Sequence, residues 1–453
     1  MQHDIRGLPQ TAASAEALHA FDATVEAYLG FELATGDRLK ETLALDPAMP
    51  LAHGLKGCFL LLSAKRDLAA RAAKALADAK AAGARAGLTP REARHLAGLE
   101  AWLAGDLAAA AAIYDTVLLA HPHDIVALKL AQYLHFYLGD APALRASVAR
   151  PFYAWDDGVP GYGYVLGLQA FALEETGDYG AAEAAGRDAV ARNPGDIWAA
   201  HAVAHVMEMQ DRPAEGAPWI DGLEPAWAGC NNFAYHVYWH RCLFLLDQGR
   251  TEEVLAHYDT KVRGDLSEEY LDIANAVALL WRLEQRGIDV GNRWAELAEK
   301  SATLGGDHML VFADAHFMMA VAAGEAAKGD DGAAEALLDS LERFAAGPEC
   351  AKGGTEAGVA RDIGLPLCRA VLAHRRGRYG EAVEALLPHR PALNRIGGSR
   401  AQRDLFEQLL IDAAVKAGKA PLARALLSER ADVRRANAWN REMAALAARL
   451  PAQ

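Results

Sequence analysis

A single kind of turn recurs along this chain at nearly constant spacing. Gly105-Asp106, Gly139-Asp140, Gly177-Asp178, Asp211-Arg212, Gly249-Arg250 and Gly287-Ile288 follow one another at intervals of 34, 38, 34, 38 and 38 residues. Weaker copies stand at Gly329-Asp330, Gly377-Arg378 and Gly418-Lys419, with an upstream one at Arg66-Asp67. Glycine, or Asp in its place, followed by a polar residue ends one helix and opens the next. Between the turns the sequence is rich in alanine and poor in Val/Ile/Thr alternation; segment 106–119 sets its apolar residues at helical spacing. These features predict an all-α chain of helical hairpins stacked into a curved solenoid, a single repeat domain over 1–453 with central units at about 160–320. Segment 347–364, rich in Gly and polar residues, reads as a loop or lid. Residues 365–450 return to repeat-like helices, expected to cap the stack or to offer a surface for homo-oligomer formation.

Several function classes drop out on composition. Of 453 residues, 52% are hydrophobic and 23% charged, enough to bury a large core, so the chain is neither disordered nor fibrous. Its 60 acidic against 46 basic residues give a formal charge of -14, which leaves no basic excess to neutralise phosphates, so no nucleic acid is expected as partner. Five scattered cysteines without a C-x-x-C pair suit reduced thiols. The start, Met-Gln-His-Asp-Ile-Arg-Gly, lacks a basic segment followed by an apolar one, and no uncharged apolar run reaches 18 residues. A cytoplasmic protein that does not enter a membrane is expected. No Gly-rich phosphate loop or G-x-S-x-G elbow occurs, so neither a nucleotide cofactor nor the usual serine hydrolase plan has support.

Within 93–124, Gly98 precedes its turn by seven residues, Ala110 follows by five and Tyr114 by nine, and Pro122 closes the unit. Ala170, Gly177, Ala182 and Pro194 repeat the pattern. This skeleton resembles the tetratricopeptide repeat. The middle of the chain resembles a narrower group, the tetratricopeptide repeat protein 38 family. That resemblance rests on His201-Ala-Val-Ala-His205-Val-Met-Glu208, Trp227, Cys230-Asn231-Asn232-Phe-Ala-Tyr-His236-Val-Tyr-Trp239-His240 and Leu280-Trp281-Arg282. It implies a repeat fold with a histidine-rich centre, and no particular reaction.

Two His-x3-His pairs, His201 with His205 and His236 with His240, place imidazoles four residues apart, on one helix face each. Counted back from their own turns, His236, His201, His240, His205 and Glu208 lie at 13, 10, 9, 6 and 3 residues, which superpose as one helical stripe. On stacked first helices such a stripe is expected to line the concave groove. Tyr164 and His316 each stand 13 residues before a turn and extend the stripe to neighbouring units; Asp314, His308, Asp272 and Arg282 flank it. Cys230 is a weaker candidate, a thiol nucleophile. Asn231 and Asn232 read as helix N-caps.

Two chemistries suit this set. Imidazoles with Glu208 or Asp314 match zinc, iron or manganese and support metal-assisted hydrolysis or oxidation. Alternatively, a His paired with a carboxylate acts as general base with a second His as acid, and no metal is needed. Both make an enzyme for a small organic substrate, with His201, His205, Glu208, His236 and His240 at its centre and Tyr164, Asp272, Arg282, Asp314 and His316 around the substrate. No H-E-x-x-H is present, so the zincin plan is absent. The remaining alternative is a repeat scaffold holding a peptide or protein partner in its groove.

Overall fold

A computed structural model of the chain describes residues 2–329 and 332–451. It is 76% helical and 1% strand, an all-α helical-repeat fold of adjacent antiparallel pairs. The little strand content is a two-stranded antiparallel ribbon, Gln2–His3 with Pro9–Gln10. No helix among the described residues is long and apolar enough to cross a membrane.

The periodic turns share one geometry. Gly105, Gly139, Gly177, Gly249 and Gly287 have φ between +64° and +84°, and Asp211 takes the same left-handed conformation at +53°. At each turn the next residue donates its backbone N–H to the carbonyl five positions back, as Asp106 does to Ala101 at 3.0 Å and Arg212 to Met207 at 2.8 Å. The helix end is thereby sealed. Asp106 and Asp140 then use their carboxylates to cap the following helix, each accepting a backbone N–H at 2.9 Å. The upstream turn falls at Ala64, φ +50°, two residues before the position expected. Gly329 is left-handed as well, and Asp330 lies outside the described residues.

By contacts the chain divides into two compact units, Met1–Val203 with Leu223–Ala234, and Ala204–Gly222 with Tyr235–Gln453. In the first, helices Pro90–Leu103 and Leu107–Ala120 form the hairpin that the repeat skeleton marks. Gly98 is required there, because a Cβ on it would come within 2.7 Å of the Tyr114 ring, while Ala110 is fully buried. Asp124 accepts hydrogen bonds from Arg91 and His95, both at 2.8 Å, in a buried triad whose partners hold the carboxyl well below its usual range against the desolvation that opposes them.

In the second unit, helix Val311–Lys328 packs between Trp294–Leu304 and Leu365–Arg375, and Tyr379–Leu386 packs against Arg400–Lys416. Segment 347–364 corrects the expectation of a loop or lid. It forms helices Pro348–Ala351 and Thr355–Val359, then a π-helical turn, Ala360–Gly364, that leads into helix Leu365–Arg375. Ala357, Val359, Ala360 and Ile363 are buried, and Glu356 accepts the Val311 N–H at 2.8 Å. The small residues that suggested a loop are what allow this backbone to pack closely, and Gly364 would place a Cβ 2.8 Å from Val311.

Candidate functional site

Local sequence sets both histidine-bearing helices. Helix Ile197–Met209 starts behind Asp196, whose carboxylate accepts the Ala199 N–H at 3.0 Å. Helix Phe233–Asp247 starts behind Asn231, whose side-chain oxygen accepts the Phe233 N–H at 2.9 Å, the cap that the sequence suggests. Within the second unit His205, His236 and His240 come together, with ring nitrogens within 4.8 Å of one another. The ring centroids of His205 and His240 are 4.4 Å apart and those of His236 and His240 4.9 Å. His201 stands one helical turn before His205 on the same helix, and in the first unit its ring packs among Phe171, Trp198 and Phe233, with centroids 5.6, 5.2 and 5.1 Å away.

Burial governs the electrostatics of this cluster. His205 and His240 are 0% exposed and His236 nearly so, which corrects the expectation of an open groove: the stripe is sealed, with Trp239 packed on His236 and His240. Desolvation pushes His236 down to about 3, opposed by its Asn275 hydrogen bond and helped by the His205 charge. His240 falls well below its ordinary value through burial and the nearby His205, His236 and Arg282. His236 and His240 are therefore neutral at pH 7 and carry lone pairs. His236 Nδ1 lies 2.9 Å from the side-chain oxygen of Asn275, so Nδ1–H donates and Nε2 keeps the lone pair. A carbonyl oxygen in that place is what fixes the tautomer of a metal-ligating imidazole. Buried His groups of this kind could hold a metal ion.

The other candidates have different tasks. Glu208 accepts from Arg434 at 3.0 Å, and Asp211 accepts from the same guanidinium at 2.8 Å. Burial pushes Glu208 up, and the Arg434 charge opposes it. Its carboxylate thus serves an ion pair and not the pairing with His205 that the spacing suggested. Asp314 sits 3.1 Å from His308, and His316 donates from Nδ1 to the Phe312 carbonyl at 2.7 Å, its ring edge-on to Phe406. Asp272 accepts from the Ser267 hydroxyl. Arg282 donates to the carbonyls of Ala278 and Ala401 and stacks its guanidinium 5.5 Å from the Trp239 ring centre, and its charge acts on both His240 and His316. Among the flanking residues, Arg282 acts on the histidine cluster. Tyr164 lies in the first unit, its phenol pushed up by burial and by Asp196. Burial, with the Glu32 and Asp196 charges, pushes the Cys230 thiol up to about 11, which removes the thiolate a nucleophile requires.

Sequence reasoning passed over Lys129. It lies in helix Ile125–Tyr137, is 2% exposed, and places Nζ 4.0 Å from the ring centre of Trp198, 4.5 Å from Phe31 and 5.1 Å from Tyr133. Desolvation pushes it down to about 7, with Asp196 opposing; burial in turn pushes the Asp196 carboxyl up to about 7. Its signal in the sequence is a charge inside an apolar run, Ile125-Val-Ala-Leu-Lys129-Leu-Ala. Asn275 was also missed, since nothing in its spacing ties it to His236. No family model matches the chain.

Proposed function

We propose that His205, His236 and His240 form a divalent transition-metal centre, and that this centre serves an enzyme acting on a small organic substrate. The observation that carries the reading is three buried ring nitrogens within 4.8 Å of one another, one of them oriented by Asn275. Imidazole donors suit zinc, iron or manganese. Bound there, such an ion acts as a Lewis acid toward a carbonyl or a water molecule. The metal-free alternative is weaker, because an imidazole pushed down to about 3 is a poor general base at neutral pH. Burial also disfavours a peptide-binding role for these histidines: side chains 0 to 3% exposed offer no surface to a partner chain. Membership of the tetratricopeptide repeat protein 38 family and a reducing, cytoplasmic setting belong to the same proposal. They are supported by the residues quoted above and by five unpaired cysteines.

Elemental analysis of untagged protein purified without chelator tests this reading. One equivalent of metal per chain is expected, lost in His236→Ala and His205→Ala while circular dichroism shows both variants folded. Metal-free wild-type protein that also gains no thermal stability on adding zinc would overturn it.

A further inference from the structure

A second centre lies wholly in the first unit. Lys129 shares a cavity of about 10 Å³ with Gln132, Tyr133, Phe136, Leu144, Leu168, Phe171 and Trp198. That space holds roughly one water-sized group. Among the described residues no carboxylate lies within ion-pair distance of the Lys129 Nζ, whose neighbours are the ring faces of Trp198, Phe31 and Tyr133. The second polar group in the cavity is Gln132. Its amide nitrogen is held by the Leu144 carbonyl at 2.9 Å and the Ser147 hydroxyl at 3.2 Å, while its oxygen Oε1 is buried and accepts no hydrogen bond. The amine-bearing side chain and the side chain with an unfilled acceptor thus line one small space whose other walls are mostly apolar. Lysines are made nucleophilic by this kind of desolvation. The ionisable groups around it are Asp196, whose charge acts on the amine, and the Tyr133 phenol.

From this geometry we infer that Lys129 is an amine nucleophile that condenses with a small aldehyde to form an imine. The Nζ lone pair attacks the carbonyl carbon; the C=O π bond becomes a hydroxyl, taking up the proton that nitrogen gives up. Gln132 Oε1 accepts the hydrogen bond of that hydroxyl. The hydroxyl then leaves as water with nitrogen's remaining proton, which leaves C=N, so one amine and one aldehyde yield one imine and one water.

Labelling of the native protein at pH 7 with limiting formaldehyde and sodium cyanoborohydride, read by peptide mass spectrometry, tests the assignment. An amine that titrates near 7 is about 10³ times more deprotonated there than an ordinary lysine, so Lys129 should be methylated at least ~10-fold faster than the average of the other lysines. In 6 M urea that advantage should vanish. A Lys129 that stays unlabelled in native protein, or reacts no faster than surface lysines, would show a sealed core side chain and overturn the inference.

Discussion

Replacing Lys129 by Met should stabilise the protein, against the usual direction of core substitutions. A fall from 10.5 to about 7 corresponds to ~5 kcal/mol between charged and neutral forms inside the fold. Ring faces at 4.0, 4.5 and 5.1 Å favour the ammonium, and the depressed value is the balance left after they act. Met has a similar length and no charge, so packing should change by less than about 1.5 kcal/mol. The sign with pH follows from the depressed value. Below about 7 the lysine is protonated in both states and the whole cost is present; from 7 to 10.5 the unfolded chain still holds a proton that the native amine has lost, so wild-type stability climbs toward the variant's. Urea denaturation of both proteins at pH 6, 7.5, 9 and 10, followed by tryptophan fluorescence, should therefore show a gap of ~3–5 kcal/mol at pH 6 that narrows at high pH. A Met variant less stable than wild type, or a gap independent of pH, would refute the argument.

Gly98→Ala should cost about 1–3 kcal/mol, since its new methyl would lie 2.7 Å from the Tyr114 ring; a thermal scan of the variant beside Gly98→Ala/Tyr114→Leu, in which the clash is relieved, checks the cause. Arg434→Met should lose about 3–5 kcal/mol by leaving Glu208 and Asp211 buried without their cation, and adding Glu208→Gln and Asp211→Asn should recover much of that in urea titrations. Burial pushes His316 down to about 4, so between pH 6.5 and 4 the unfolded chain takes up a proton that the native ring refuses, and up to ~3 kcal/mol is lost as pH falls. His316→Leu should flatten that acid limb of the stability profile, and an unchanged limb would assign acid sensitivity elsewhere.

Much of the fold was legible because its turns obey a local rule. A left-handed residue followed by a polar one needs only two positions to be recognised, and five of the six strong turns carry glycine at positive φ. Asp211 shows the rule from the other side: it accepts the conformation that glycine takes freely, and its carboxylate is bound by Arg434, 223 residues away in sequence. Segment 347–364 was misread for the complementary reason. Its helices are too short for a periodic signal, and its burial depends on Val311, which no local pattern reveals.

The site was legible to the same depth. Spacing of four on each helix foretold that His236 and His240 would share a face, and the in-phase turns foretold that His205 would meet them. Spacing says nothing about who else competes for a side chain. Glu208 was drawn into the stripe by its offset of three from the turn, yet Arg434, on a distant helix end, offers it a charge-assisted hydrogen bond that a neutral imidazole cannot match. His316 satisfied the offset of thirteen and spends its Nδ1 proton on the carbonyl one turn below. Lys129 escaped because its peculiarity is environmental: Tyr133 stands one turn along its own helix, but Phe31 and Trp198 come from separate segments, and only their convergence turns an ordinary lysine into a buried amine. Groups whose chemistry comes from neighbours on the same helix can be found by counting residues. Those whose chemistry comes from desolvation become visible only when the fold shows what has replaced the water.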